Sequence, residues 1–92
     1  MEFEWDGDKV QADIEKHGID FAEASTVFGD SLELTMSAPD HSIGEYRFSS
    51  MGMSSAGRVL VVSYSERSEN RIRIISVRAA SHRERRQYET SR

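Results

Sequence analysis

The chain has 92 residues, no cysteine and a formal net charge of −4, and 37% of its residues are hydrophobic, as in ordinary globular domains. A chain of this length can bury one small core, so we expect a single domain over residues 1–92. The lack of cysteine excludes disulfides and thiolate metal sites. The longest fully apolar run, 59–62, is far too short to span a membrane.

Charge is divided very unevenly along the chain. Residues 1–46 contain twelve acidic residues and two lysines, whereas residues 47–92 contain all ten arginines and only four acidic residues. This asymmetry indicates that the basic half contacts a polyanion, because the planar, forked guanidinium binds phosphate oxygens in pairs. The alternative is that the two halves neutralise each other through internal ion pairs. The acidic N-terminus also lacks the apolar stretch of a signal peptide, so we expect a cytoplasmic protein.

The first thirty residues predict a short strand followed by two helices. Alternation of aromatic and acidic side chains predicts a strand at 2–5. The apolar spacing that follows predicts helices at 8–17 and 20–28, and Gly18 is a suitable end for the first of them. Two short helices joined by so tight a turn form a helical hairpin.

The remaining residues predict four strands and a final helix. Period-two alternation between turn residues predicts strands at 31–36, 44–51, 58–65 and 71–78, and composition predicts a helix at 82–90. Strands joined by short turns pair antiparallel, and helices gathered on one face of such a sheet make a two-layer α+β domain. We expect the core to include Phe21, Val27, Phe28, Leu60, Val62, Ile72 and Ile74.

The usual signatures of metal, nucleotide and hydrolase sites are missing from the sequence. The three histidines fall in separate elements without a ligand spacing, and there is no glycine-rich phosphate loop or GxSxG motif. We therefore expect no metal and no cofactor. What remains is a set of arginines beside aromatic and acidic side chains, a combination suited to single-stranded RNA.

Short motifs follow one another along nearly the whole chain. They include Phe3-Glu4-Trp5-Asp6, Lys16-His17-Gly18, Asp40-His41-Ser42, Glu45-Tyr46-Arg47-Phe48, Arg71-Ile72-Arg73-Ile74 and Arg83-Glu84-Arg85-Arg86. Together they resemble the BrnT family of bacterial toxins. The resemblance implies a RelE-like ribonuclease fold and a type II toxin that inhibits growth by cutting RNA. It also implies a BrnA-like antitoxin as partner, with DNA bound only through the toxin–antitoxin complex.

Metal-free RNA cleavage needs a base for the 2′-hydroxyl, cations for the charge developing on the phosphate, and a proton donor for the leaving 5′-oxygen. We predict Glu66 as the base, Arg67 and Arg78 as phosphate clamps, and Tyr88 or His41 as proton donor or base-stacking residue. The predicted RNA-binding residues are Arg47, Arg71, Arg73 and Arg83. The alternatives are structural: Glu66 only pairs with a neighbouring arginine, Tyr88 only covers the core edge, or the chain is a non-catalytic interaction or nucleic-acid-binding module.

Overall fold

A computed structural model describes residues 1–37 and 47–91 of the chain. The strands are β1 (Glu2–Glu4), β2 (Leu34–Ser37), β3 (Arg47–Met53), β4 (Val59–Ser68) and β5 (Arg71–Ala79). The helices are α1 (Gly7–His17), α2 (Phe21–Ser25) and α3 (His82–Thr90), and a 3-10 turn (Thr26–Gly29) directly follows α2. Each predicted element has a counterpart. Residues 44–46 of the predicted third strand, and His41, lie outside the described residues.

Side-chain caps position the two N-terminal helices. Asp6 Oδ1 accepts a hydrogen bond from the backbone N–H of Asp8 at 2.9 Å, and Asp20 caps α2 in the same way. Gly18 ends α1 with a φ of 69°, a left-handed conformation that glycine adopts without a Cβ clash. The start and the end of α1 are therefore fixed by residues that the sequence already marks.

The predicted second helix, 20–28, is divided into an α-helix and a 3-10 turn. Ser25 Oγ donates to the carbonyl of Ala22 at 2.7 Å, and Thr26 Oγ1 donates to the carbonyl of Glu23 at 2.6 Å. These hydroxyl groups bind carbonyls three residues back and so compete with regular α-helical bonding. The helical segment tightens at that point instead of continuing unchanged.

The sheet has the strand order β1-β5-β4-β3-β2. The pairs β2–β3, β3–β4 and β4–β5 are antiparallel, as predicted for strands joined by turns. β1 pairs with β5 in parallel, with Glu2 beside Arg71 and Glu4 beside Arg73, so the sheet is mixed and not wholly antiparallel. The strand predicted at 31–36 begins three residues later, because Asp30 Oδ1 accepts from the N–H of Leu32 and holds a turn there.

A bulge interrupts the pairing of β4 with β5. Tyr64 lies opposite Ile74 and Ser63 lies opposite Ser76, so Ile75 is an extra residue on β5. Because of this insertion, Ile74 and Val77 both face the core although they are three residues apart.

The two faces of the sheet are covered by different helices. On the first face, α1, α2 and the 3-10 turn enclose the main core, in which Leu60, Val62, Ile72 and Ile74 are buried as predicted. Phe21 and Val27 are also fully buried, whereas Phe28 is half-buried and packs edge-on against Tyr64 with the ring centroids 4.9 Å apart.

The second face has its own, smaller apolar cluster. Met51, Val59 and Val61 pack there against Tyr88 of α3. The two-layer prediction placed all helices on one face, but β4 is apolar on both faces at this end, and α3 covers the second one. Within the described ranges, 1–37 and 47–91, no helix has the length and apolar character needed to cross a membrane.

Candidate nucleic-acid interface

The part of the second face that α3 leaves open is polar. Ser49, Ser63 and Ser76 lie side by side on β3, β4 and β5. The next row toward the start of β3 consists of Arg47, Ser65 and Arg73, also directly opposite one another. Residues two apart on a strand share a face and are separated by about 7 Å, so a row of hydroxyl groups adjoins a cationic row.

An open cleft lies at the cationic row and has a volume of about 300 Å³. The N-terminal end of α1 and the bulge of β5 form part of its wall. The lining residues are Asp6, Lys9, Arg47, Arg67, Arg73, Ile74 and Ile75. Four of these side chains are cationic and one is acidic, so the cleft is suited to an anion.

The glutamates of β1 neutralise two arginines at this end of the sheet. Arg67 Nε donates to Glu4 Oε1 at 3.0 Å, and Arg71 donates to Glu2 Oε1 at 2.9 Å. Internal ion pairs between the two halves of the chain were the alternative to contact with a polyanion. They do form for these two arginines. Both pairs are at least one-third exposed, so screening by solvent limits their contribution to stability.

Arg47 and Arg73 differ from these paired arginines. Neither forms an ion pair with any residue in 1–37 or 47–91. The Nε atom of Arg47 and the Oγ atom of Ser65 are both buried, and neither has a hydrogen-bond partner in the described part of the chain. Uncompensated positive charge at the cleft therefore lies beside two buried polar atoms without a hydrogen-bond partner among the described residues.

Glu66 and Arg67, neighbours in sequence, point to different sides of the sheet. Glu66 lies opposite Ile72, whose side chain belongs to the main core on the first face. Strand alternation therefore turns the exposed Glu66 away from Ser65 and Arg73. Of the four residues predicted as catalytic, only Arg67 lines the cleft.

Arg78 and Tyr88 lie toward the other end of the second face. Arg78 is opposite Val61, five residues along β4 from Glu66, or about 16 Å at the usual rise of a strand. Arg78 forms two hydrogen bonds, of 2.7 and 2.9 Å, to the carboxylate of Glu84. The structure does not bring the four predicted catalytic residues together. Glu66 points to the first face, and Arg67 lines the cleft. Arg78 and Tyr88 lie at the other end of the second face.

Tyr88 is only 2% exposed and attaches α3 to the rest of the domain. Its hydroxyl donates to Asp30 Oδ2 at 2.5 Å, and the same oxygen accepts from the backbone N–H of Met53 at 2.8 Å. Arg83, predicted to bind RNA, is exposed in the first turn of α3. The contacts of Tyr88 favour a structural role, in which it covers the apolar cluster on the second face of the sheet.

Glu84 at the start of α3 provides a test of this attachment. The hydrogen bonds from Arg78 and from the backbone of Ser81 hold the pKa of Glu84 at about 2, below its ordinary 4.5. Glu84→Gln keeps an acceptor for Ser81 but removes the charge. We expect the free energy of unfolding to fall by about 1–2 kcal/mol at pH 7. This figure is reduced because Arg78 is half-exposed and solvent screens the ion pair. A depressed pKa stabilises the fold above the ordinary value, so the gap should close as pH falls from 4.5 toward 2.

Chemical denaturation at pH 7, 4 and 2.5 measures this gap, and Glu89→Gln on the exposed surface of the same helix is the matched control. A difference between Glu84→Gln and the unmodified protein that is constant from pH 7 to pH 2.5 contradicts the expectation.

The sequence predictions gave no role in RNA binding to Asp6 and Lys9 of the cleft lining, or to Ser65 beneath it. The position of Ser65 between two arginines depends on the pairing register of three strands, which no single segment encodes. Lys9 and Asp6 reach the cleft because α1 packs along β5. In the described ranges, no group of three His, Asp or Glu side chains is arranged to hold a metal ion.

Two comparisons with known proteins agree with the resemblance carried by the sequence motifs. A family model described as the ribonuclease toxin BrnT of a type II toxin–antitoxin system matches residues 5–84. The 1.1 Å crystal structure of the Brucella abortus ribonuclease toxin BrnT is similar, with a TM-score of 0.65 and 25% sequence identity. The match covers 89% of this chain and 99% of that one. No curated protein sequence gives a match.

Proposed function

This chain belongs to the BrnT family of ribonuclease toxins of type II toxin–antitoxin systems, and from that premise we propose that its RNA is bound and cut in the cleft around Arg47 and Arg73. The observation that carries the proposal is the pair of arginines on either side of Ser65, both without an ion pair among the described residues. Unpaired guanidinium groups bind phosphate in bidentate geometry at short range. Two further clefts lie beside α3.

In the proposed reaction, the 2′-oxygen attacks the adjacent phosphorus and the bond from phosphorus to the 5′-oxygen breaks. The departing 5′-oxygen takes a proton from solvent, which leaves a 2′,3′-cyclic phosphate and a 5′-hydroxyl. Arg47 and Arg73 stabilise the negative charge that develops on the phosphate, with Arg67 beside them as a further cation. Asp6 is the carboxylate in the cleft lining, and in the proposal it takes the proton of the 2′-hydroxyl. Its Oδ1 atom accepts the helix-capping bond from Asp8, which leaves Oδ2 available for this role.

The other residues predicted from the sequence have secondary roles in this proposal. Arg71 lies two residues before Arg73 on the same face of β5, and it contacts a neighbouring phosphate when its bond to Glu2 opens. Arg83 provides a more distant phosphate contact on α3. Three predicted catalytic residues lie outside the cleft lining and have a structural role in this proposal: Glu66, Arg78 and Tyr88.

We also propose the finer features of the toxin–antitoxin role. The antitoxin is a small DNA-binding protein of the BrnA type, and DNA is bound only through the complex. The toxin acts in the cytoplasm, and cleavage needs no metal ion. The family assignment supports an antitoxin partner and an RNA target. The type of antitoxin, the binding of DNA through the complex, the cytoplasmic location and the metal-free cleavage are our proposals beyond it.

Cleavage of a single-stranded RNA in the presence of a chelator tests the proposed reaction. We expect cleavage to continue with the metal removed, and RNA binding to weaken with salt by a logarithmic slope of about 0.7 for each phosphate contact. Loss of cleavage on chelation contradicts the metal-free reaction, and salt-independent affinity contradicts phosphate binding. Binding without any cleavage supports the non-catalytic nucleic-acid-binding alternative.

A further inference from the structure

Ser65 is an unusual residue for the interior of a sheet. It is 0% exposed, and its hydroxyl has no hydrogen-bond partner within residues 1–37 and 47–91. Its cross-strand neighbours are Arg47 on one side and Arg73 on the other. The only other buried side-chain polar atom without a partner in these ranges is Nε of Arg47, so the two unsatisfied atoms belong to adjacent residues.

The other buried serines show how this protein normally treats such groups. Ser50 Oγ donates to the hydroxyl of Tyr64 at 3.2 Å, and Ser54 Oγ donates to Glu23 Oε2 at 2.7 Å. Buried polar atoms without a partner are rare because desolvation is not compensated, and in native proteins they are often explained by a functional role or a bound ion or water. Ser65 therefore requires a separate explanation.

The chemistry of the site defines what can satisfy both atoms. Nε of an arginine is only a donor. The arginines on both sides of Ser65 are also donors only, so they offer no acceptor to its O–H group. The missing partner is therefore an acceptor, and the surrounding charge requires that it be anionic. A phosphodiester has two non-bridging oxygens on a tetrahedral centre, so it can accept from several donors at once.

We propose that Ser65 Oγ and Arg47 Nε are the inner donors of a phosphate-binding pocket, and that a phosphodiester of the RNA supplies the acceptor oxygens that both atoms lack. The inference rests on the proposed function and adds to it a neutral donor beneath the arginine pair. Because Ser65 is fully covered in the free protein, the phosphate reaches it only when the side chains above it move apart.

This role and a purely structural role for Ser65 have opposite consequences for stability. If the hydroxyl serves only the fold, its removal lowers the melting temperature. If it is held without a partner for a ligand, Ser65→Ala relieves a desolvated group, and the melting temperature stays equal or rises. RNA affinity then falls by about tenfold, which corresponds to the loss of one hydrogen bond to a charged group.

The experiment measures the affinity for a non-cleavable 2′-O-methyl oligonucleotide and the melting temperature of each folded variant. Ser65→Ala is compared with Arg47→Ala, Arg73→Ala and the control Ser50→Ala, a buried and hydrogen-bonded serine on the opposite face. We expect Ser65→Ala to bind about tenfold more weakly with no loss of melting temperature. Ser50→Ala should melt at a lower temperature and bind as the unmodified protein does.

Inorganic phosphate provides a second probe of the same pocket. It should raise the melting temperature of the unmodified protein more than that of Ser65→Ala. Equal stabilisation of both proteins by phosphate overturns the role of the hydroxyl.

The outcomes separate this inference from the proposed function. Unchanged affinity of Ser65→Ala, with weaker binding by both arginine variants, overturns the inference and leaves the proposed function standing. A melting temperature of Ser65→Ala that falls as far as that of Ser50→Ala also overturns it. Unchanged binding by both arginine variants removes the RNA site from this cleft altogether.

Discussion

Replacement of Arg73 by alanine should reduce the rate of RNA cleavage by about two to three orders of magnitude while the protein stays folded. Arg73 is half-buried in the cleft lining and has no ion pair among the described residues, so its charge is available to a phosphate. Loss of one well-placed donor to a developing oxyanion raises the activation free energy by roughly 3–4 kcal/mol. Single-turnover cleavage of a defined RNA measures the rate, and relief of growth arrest on expression without antitoxin measures the effect in cells.

The matched control is Arg86→Ala, an exposed arginine of α3 that also lacks an ion pair in the described part of the chain. It removes the same charge from the molecule but lies outside the cleft, so cleavage should change little. Arg73→Lys keeps the charge without the forked geometry and should fall between the two. Equal cleavage rates for Arg73→Ala and Arg86→Ala contradict the assignment of RNA cleavage to this cleft. In that case the effect depends only on the net charge of the protein and not on the position of Arg73.

Replacement of Tyr88 by alanine should lower the free energy of unfolding by about 3–5 kcal/mol, the usual cost of removing a buried aromatic side chain. Tyr88 is 2% exposed, packs against Met51, Val59 and Val61, and is the only buried residue of α3. Its loss opens a cavity and also detaches the hydrogen bond to Asp30. Urea denaturation of the variant and the unmodified protein measures the difference.

Tyr88→Phe separates this structural role from the catalytic role predicted for the hydroxyl. The variant keeps the ring in the cluster and loses the hydroxyl that donates to Asp30, so its stability should fall by about 1.5–3 kcal/mol. Folded Tyr88→Phe should cut RNA at the rate of the unmodified protein. A hundredfold slower rate in that folded variant contradicts the structural role and returns Tyr88 to the reaction.

The helices and strands of this fold could be predicted because their signals are local. Alternation in β3, β4 and β5, the caps Asp6 and Asp20, and Gly18 after α1 each act within a few residues. The parallel pairing of β1 with β5 could not be predicted from such local signals. The alternation of apolar and polar residues identifies a strand, but it does not say which strand is its partner or in which direction the two run. The bulge at Ile75 was also missed, because it exists only in relation to β4.

The candidate site could be predicted by residue type but not by arrangement. Arg47 and Arg73 were both predicted to bind RNA, and both side chains line one cleft, while their contact with RNA stays a prediction. The catalytic grouping instead joined Glu66 to Arg67 because they are neighbours in the chain, and strand alternation separates them. Long-range register decides which side chains meet, and that information becomes available only when three strands are paired.

The two glutamates of β1 act as built-in counterions for the basic half of the molecule. By occupying Arg67 and Arg71, they confine the strong positive potential at this end of the sheet to the short span between Arg47 and Arg73. A broad basic surface binds any abundant nucleic acid, whereas a positive region as narrow as this one contacts only one or two phosphates. The logarithmic salt slope contributed by this end of the sheet should then be near 0.7–1.4. Because so few phosphates are contacted, non-specific binding to bulk duplex DNA and structured RNA is weak, and these do not sequester the protein.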